Sequence, residues 1–302
     1  MSLFLDVLTD VTLPVILLMV FGFVGQRRLR FDVITLNRLV IYAALPCLFV
    51  DSLSKAELPL AEVQVTVLFT VLQFAALLAV GWSVGAALGA ERDVRAILAL
   101  SAAFPNSGNF GIPLVQLAFG PAYMPHQAVI VTLHVVMVLA IAPALLSGGG
   151  GGLAALRAAF RTPLIPAMLA GLALNVLDLR LPTMLGYPAS LMATATTPLS
   201  LIAIGAQLAA GGSVVSRSTV SWAVGLRLVA APVLTALALW PIAAPETLSD
   251  MLLVGAATPI AILLAMLCQE YDRSPELASA VVAASTVLCP IAITAAVVAT
   301  RV

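Results

Sequence analysis

The sequence has very little charge. Only 9% of its 302 residues are charged, whereas 62% are hydrophobic and the mean hydropathy is +1.13. Soluble globular proteins carry about 25% charged residues, so this chain lacks the polar surface that contact with water requires. Its formal net charge is zero, without the basic surface and interleaved aromatic residues that nucleic-acid binding needs. The composition excludes nucleic acid as a partner and places the chain in a lipid bilayer.

Residues that ligate metals or form disulfides are also scarce. The three cysteines, Cys47, Cys268 and Cys289, are scattered through apolar segments without metal-ligand spacing, and the two histidines form no metal motif. We interpret the cysteines as small buried hydrophobic residues. The sequence predicts no metal site and no cofactor.

The N-terminal segment lacks the basic region that begins a signal peptide. Asp6 and Asp10 precede its apolar run, and the arginines of QRRLR (26–30) follow it. This order predicts a first transmembrane helix whose N-terminus lies outside.

Long apolar segments recur along the whole chain. A membrane-spanning helix needs about 20 mostly apolar residues. On that basis the sequence predicts ten spans, near residues 7–25, 34–53, 62–88, 94–118, 125–146, 162–178, 187–210, 219–240, 247–268 and 276–299.

The distribution of positive charge gives the orientation of these spans. With the N-terminus outside, all but three of the fourteen Lys and Arg residues fall on the inner side; the exceptions are Lys55, Arg180 and Arg301. Cytoplasmic loops are enriched in Lys and Arg, so we predict a multi-pass protein of the cytoplasmic (inner) cell membrane with both termini outside. Arg227 is interpreted as a side chain that snorkels to the inner interface, or alternatively as a charge that attracts an anion.

Three pairs of prolines recur at a spacing of 152 to 154 residues: Pro14 with Pro166, Pro46 with Pro198, and Pro105 with Pro259. Each pair occupies the same position in two sets of five spans, and proline inside a helix costs about 3 kcal/mol or more. The predicted fold is an all-α membrane protein of two five-helix repeats, 1–146 and 158–302, joined by a Gly-rich cytoplasmic linker at 147–157. Because five is odd, the second repeat is inverted.

The fourth span contains FPNSGNFGIP (104–113), and its counterpart in the ninth span is GAATPIAIL (255–263). A matched pair of interrupted helices is the best sequence indication of a transporter's binding site. Each break is expected to expose a half-helix N-terminus that can hold an anion without a buried Lys or Arg. The alternative is a pair of kinks that serve only helix packing.

Candidate residues follow from this hypothesis. The candidate substrate-binding residues in the two breaks are Pro105, Asn106, Ser107, Gly108, Asn109, Gly111, Thr258, Pro259 and Ile260. The candidate crossover or hinge residues are Pro46, Pro105, Pro113, Pro198 and Pro259.

Further polar residues lie within spans. His134, in VTLHVVMV of the fifth span, is either the carrier of a coupled proton or a neutral hydrogen-bonding core residue. Gln207 either lines the expected binding cavity at the two breaks or packs in the core. Ser285 and Thr286 are either hydroxyls of that pocket or packing residues. No carboxylate lies at the centre of a span, so the coupling ion stays open between proton, sodium and membrane potential alone.

Several stretches in order resemble the auxin efflux carrier family of permeases. PNSGNFGIPL (105–114), followed by FG at 119–120, resembles the family's fourth-helix signature. TPLIPAMLAGLAL (162–174) resembles the family's sixth helix, and TTPLSLIAIGAQLA (196–209) resembles its seventh. TPIAILLAMLCQEYDRSPELASAVVAASTVLCPIAI (258–293) resembles its ninth and tenth helices. The similarity covers nearly the whole chain.

The resemblance implies a fold shared with bile-acid symporters and sodium/proton antiporters. Helices four and nine would cross at their broken centres, and a transport domain would move against a scaffold like an elevator. The residues that match the family's crossover pattern are Pro105, Asn106, Gly111, Ile112, Pro113 and Pro259. Organic anions are implied as substrates, either auxin or dicarboxylates such as malate and malonate, although a short Gly run replaces the long central loop of plant carriers. A homodimer is suggested only by the resemblance to plant members.

The sequence therefore predicts a secondary transporter of small organic anions and no enzyme. One alternative is a sodium-coupled symporter of bile-acid-like anions, and another is an anion channel or sensor. An intramembrane serine protease using Ser107 and His134 is disfavoured, because Ser107 stands in PNSGN (105–109) and not in a Gly-x-Ser nucleophile motif.

Overall fold

The computed structural model describes residue 9 and residues 13–56, 59–147, 163–210, 216–242 and 244–300. Within these ranges the regular elements are helices, and the β-type pairing is one isolated antiparallel bridge between Pro105 and Ile260. The predicted all-α class is confirmed. The predicted linker at 147–157 lies outside the described residues, apart from Ser147.

We number the described helices α1 (Leu13–Leu29), α2 (Val33–Ser54), α3 (Leu60–Ala87), α4 (Arg92–Ala103), α5 (Gly111–Phe119), α6 (Met124–Ser147), α7 (Leu164–Val176), α8 (Thr183–Ala210), α9 (Arg217–Leu239), α10 (Glu246–Ala256), α11 (Ile262–Glu270) and α12 (Pro275–Thr300). A 3₁₀ turn at Pro121–Tyr123 leads into α6. α2 and α9 each include a π-helical turn, at Val40–Ala44 and Leu226–Ala230.

Six of the described helices have apolar stretches of 22 to 27 residues, long enough to cross a membrane: α2, α3, α6, α8, α9 and α12. The other predicted spans correspond to shorter or broken helices. α1 has 17 described residues and α7 has 13, and the fourth and ninth spans are divided into α4 with α5 and α10 with α11. A total of ten spans stays a prediction.

One group of helices is held together by direct backbone contact. α1 packs chiefly against α8, and α7 packs chiefly against α2. A Cβ atom added to Gly22 would lie 2.0 Å from the Ile202 carbonyl oxygen, and one added to Gly205 would lie 1.8 Å from the Met19 carbonyl oxygen. Small residues that allow such close approach are the usual basis of helix packing in membranes.

A second group surrounds the broken helices. Its core includes Phe74 of α3, Ile97 and Leu100 of α4, Val138 of α6 and Leu264 of α11, with further residues from α9 and α12. Every residue of α4 from 96 to 103 is buried. The end of α4 is therefore fixed deep inside the bundle, where an interruption has no access to lipid.

Proline chemistry explains where α4 stops. The residue before a proline disfavours the helical conformation, and Phe104, which precedes Pro105, has φ −107° and ψ 91°. After the second break the ninth span continues as α11. The residue before α11, Ala261, is extended, with φ −68° and ψ 137°. The second interruption is thus a short segment that is extended at Ala261, and the first is an extended segment, 104–106, followed by a turn at 107–110.

Candidate functional site

The two interruptions meet in the structure. The Asn106 N–H donates to the Pro259 carbonyl oxygen at 2.7 Å, and the Ala261 N–H donates to the Phe104 carbonyl oxygen at 3.1 Å. Residues 104–106 and 259–261 therefore run antiparallel, and we call these two segments the crossover. Each segment satisfies backbone groups that the break in the other helix has released, which a lipid environment demands.

Hydroxyl groups support the second break. The Ile260 N–H donates to Ser285 Oγ at 3.0 Å, and the Ser285 hydroxyl donates to the Val282 carbonyl oxygen at 2.9 Å. Thr258 Oγ1 donates to the Gly255 carbonyl oxygen at 2.7 Å. These hydroxyls bind protein backbone, so Ser285 positions the crossover.

The first turn after the crossover leaves backbone donors unused. Phe110 and Gly111 N–H donate to the Asn106 carbonyl oxygen at 3.3 and 2.9 Å. The N–H groups without a hydrogen bond to any described residue are those of Ser107, Gly108 and Asn109 before α5 and of Ile262 and Leu263 at the start of α11. Both half-helix N-termini thus keep free donors, as expected for helix starts.

The Asn106 side chain adds a further free donor. It is 5% exposed, and its Nδ2 has no hydrogen-bond partner among the described residues. Leaving a buried donor unpaired costs about 1–3 kcal/mol, so this amide is suited to an acceptor supplied by a ligand. Asn109, three positions further along the chain, is half-buried. In the described ranges no buried polar side chain is acidic.

α6 holds the turn 107–110 from one side. His134 Nδ1 lies 3.1 Å from Ser107 Oγ, and its ring packs against Phe74 and Phe104 with centroid distances of 6.1 and 6.3 Å. Gln127 Nε2 donates to the Ser107 carbonyl oxygen at 2.6 Å. The structure therefore brings the predicted His134 into contact with the predicted Ser107, and adds Gln127, which no sequence motif indicates.

The two glycines of this turn have different surroundings. A Cβ atom at Gly111 would lie 2.6 Å from Gln127 Nε2, whereas one at Gly108 would meet only Val131 Cγ1 at 3.7 Å. A Cβ atom at Gly111 would therefore displace the Gln127 amide from its observed position. Gly108 leaves open space at the turn.

Arg227 lies where α4 and α10 end, next to the crossover. It is 1% exposed, so the interpretation of a side chain that snorkels to the interface is wrong. Its Nη1 donates to the Ala102 carbonyl oxygen at 2.7 Å, and its Nη2 donates to the Ala256 carbonyl oxygen. These carbonyls belong to the last turns of α4 and α10, whose C-terminal ends carry partial negative charge. The positive charge of the guanidinium group offsets the partial negative charge of both helix ends.

The remaining candidates are placed as follows. Pro113 is the third residue of α5, in the first turn, where proline is tolerated best in a helix. Pro46 follows the π-helical turn of α2 by two residues, and Pro198 lies inside the continuous α8. Gln207 is half-buried near the end of α8, and within the described ranges no hydrogen bond joins it to the crossover. Roles in hinge motion or binding stay predictions for these residues.

Buried donors between two broken helices of an apolar bundle are typical of membrane transport proteins. The chain matches the membrane transport protein family over residues 7–148 and 152–297. It belongs to this family, which confirms the resemblance to auxin efflux carrier permeases.

A relative supports the same class. The chain is 29% identical over 300 residues to an uncharacterized transporter of Methanothermobacter thermautotrophicus (strain Delta H), covering 93% of this chain and 94% of that protein. The protein is therefore a multi-pass membrane transporter that carries a small-molecule substrate across the bilayer. Its family and its relative both belong to a class that is distinct from enzymes.

Proposed function

We propose that the protein is a secondary active transporter of small organic anions, either dicarboxylates or auxin-like carboxylates, bound at the crossover. The observation that carries this proposal is the set of unpaired donors there. The Asn106 amide is buried without an acceptor, and the N–H groups at the starts of α5 and α11 have none among the described residues. A carboxylate supplies acceptor oxygens and negative charge together.

The proposed binding residues have distinct tasks. Asn106 and Asn109 donate side-chain amide hydrogens, and Gly108 lets the ligand approach the backbone. His134 orients the Ser107 hydroxyl through their hydrogen bond. Thr258, Pro259, Ile260 and Pro105 hold the backbone of the crossover in place.

We further propose the ten-span, inverted-repeat architecture with both termini outside. The packing is reciprocal: the first helix of each repeat packs against the second helix of the other, as α1 with α8 and α7 with α2. A two-fold relation between two repeats produces this pattern, and the antiparallel pairing at the crossover agrees with it. Both features support the proposal.

The same grouping supports an elevator mechanism. α1, α2, α7 and α8 form the proposed scaffold, and the helices around the broken pairs form the transport domain. Two apolar clusters, one including Phe49 and Ile112 and the other Met19 and Phe110, lie between the groups. Such apolar surfaces can slide past one another, although the hydrogen bond that Thr197 Oγ1 of α8 donates to Gln116 Oε1 of α5 would have to break.

Thermal unfolding of the detergent-solubilised protein tests the site. The ligands are malate, malonate, succinate, lactate, indole-3-acetate and taurocholate. A ligand at 100 times its Kd stabilises the folded state by about 2.7 kcal/mol, and we expect at least one anion to do so in the wild type but not in Asn106→Ala or Asn109→Ala. Stabilisation that survives in both variants would place the site elsewhere. Saturable uptake into proteoliposomes separates a carrier from a channel, and the particle mass tests the homodimer.

A further inference from the structure

We infer that the crossover is built for a ligand with one net negative charge: a monocarboxylate, or a dicarboxylate in its singly charged form. This inference rests on the proposed function and specifies the charge class of its substrate. It comes from the balance between Arg227 and the four half-helix ends that surround the crossover.

The negative ends are already balanced. The C-terminus of a helix carries about −0.5 elementary charge, so α4 and α10 together contribute about −1. Arg227 donates to the Ala102 and Ala256 carbonyls in the last turns of these two helices. Its single positive charge therefore cancels the C-terminal ends, and its own hydrogen bonds fix it there.

The positive ends are not balanced. α5 and α11 have nine residues each, and each N-terminus contributes about +0.5 elementary charge. No Asp or Glu side chain is buried in the described ranges, so none neutralises these ends. The buried and unpaired Nδ2 of Asn106 independently indicates that an acceptor belongs at the site. The uncompensated charge is about +1, which one negative charge matches.

The two buried histidines do not alter this balance. His134 has the Ser107 hydroxyl and two phenylalanine rings around it, with no carboxylate partner that would favour an imidazolium. His126 lies 3.4 Å from Glu62 Oε2 and 2.9 Å from Thr66 Oγ1. A proton on His126 would therefore be paired locally with Glu62. Neither His134 nor His126 adds net charge at the crossover.

A charge series at constant size tests the inference on the wild-type protein. Malonamide, malonamate and malonate carry zero, one and two negative charges at about pH 8, since carboxyl groups titrate near pH 4; the succinate series and the pair indole-3-acetamide and indole-3-acetate accompany them. Each Kd is read from the dependence of the melting temperature on ligand concentration. An unbalanced buried charge is strongly unfavourable, so we expect the singly charged member to bind at least about tenfold more tightly than its neutral or doubly charged partners.

The outcomes separate this inference from the proposed function. A doubly charged acid that binds as tightly as its half-amide, or more tightly, overturns the one-charge inference and leaves the anion transporter in place. A neutral amide that binds as well as its acid also overturns it. If no acid in any series stabilises the protein, the proposed function itself fails.

Variants of Arg227 identify the source of the charge balance. Arg227→Lys keeps one positive charge, and we expect it to keep the preference for the singly charged ligand. Arg227→Gln leaves the C-terminal ends unbalanced, so the advantage of the half-amide over the diamide should fall at least about tenfold. A purely structural role of Arg227 would lower the melting temperature of both variants and leave the order of the series unchanged. If Arg227→Gln does not fold, the ligand series on the wild type and on Arg227→Lys still tests the preference for one negative charge.

Discussion

The contact between Gly111 and Gln127 offers a sharp test of the site geometry. In Gly111→Ala the new Cβ atom would lie 2.6 Å from Gln127 Nε2, closer than non-bonded atoms approach. The turn around it is buried, so the glutamine side chain must move. Its hydrogen bond to the Ser107 carbonyl oxygen, 2.6 Å long, would then be lost.

The expected cost follows from the groups left unpaired. Separating a buried amide from a buried carbonyl costs about 1–3 kcal/mol, and the better helix propensity of alanine returns at most about 1 kcal/mol. We therefore expect Gly111→Ala to destabilise the protein by about 1–2 kcal/mol. At Gly108 the added Cβ would meet Val131 Cγ1 at 3.7 Å, an ordinary contact, so Gly108→Ala should change stability by less than about 0.5 kcal/mol.

Thermal unfolding in detergent measures both variants, together with Gln127→Ala and the double variant Gly111→Ala/Gln127→Ala. If the steric conflict is the cause, Gly111→Ala should cost nothing further once Gln127 has been removed, giving a coupling energy of about 1 kcal/mol or more. Equal destabilisation by Gly111→Ala in both backgrounds would refute this explanation. The matched Gly108→Ala variant should unfold like wild type, yet bind the anion more weakly if the ligand approaches the backbone there.

Two further predictions concern packing and the crossover. Gly205→Ala places a Cβ atom 1.8 Å from a carbonyl oxygen of α1, so we expect loss of folded, monodisperse protein in size-exclusion chromatography, whereas Gly225→Ala, with nothing within 4 Å of its Cβ, should elute normally. Ser285→Ala leaves the buried Ile260 N–H without its acceptor, which should lower the free energy of unfolding by about 1–3 kcal/mol. Thr286→Ala is its control, because that hydroxyl bonds only within its own helix; equal losses in both variants would contradict the role of Ser285.

The positions of the breaks were predictable because proline has a local effect. Pro105 and Pro259 disfavour the helical conformation of the residues before them, but Pro198 lies inside the continuous α8, so a proline alone does not predict a break. The matched positions of Pro105 and Pro259, with the glycines and asparagines of 104–113, made these interruptions visible in the sequence. That residues 104–106 would pair with residues 259–261 was expected only from the resemblance, since no local rule joins segments so distant in the chain. Cys268 and Cys289 are buried, as their apolar surroundings indicated, whereas Cys47 is only half-buried.

Arg227 and Gln127 show what sequence patterns leave out. Arg227 is the eleventh residue of α9, about 15 Å along a helix and so near the middle of a bilayer of about 30 Å. Its depth in the membrane can be inferred from the sequence. Its carbonyl partners on α4 and α10 cannot, because they come from distant parts of the chain. Gln127 lies in the first turn of α6, where a polar residue is unremarkable. Its role in holding the turn is visible only from its hydrogen bond to the Ser107 carbonyl oxygen.

The hydrogen bonds of the crossover also impose an order on biosynthesis. Asn106 and its partner Pro259 are separated by 153 positions in the chain (259 minus 106). At about 5–20 residues per second, the ribosome needs about 8–30 s to deliver that partner after Asn106 has emerged. During this interval the Asn106 N–H and the Phe104 carbonyl lack the partners that they have in the folded protein. Both groups need other hydrogen-bond partners until the second half has been made, and a chain that ends at the Gly-rich linker never receives residues 259–261.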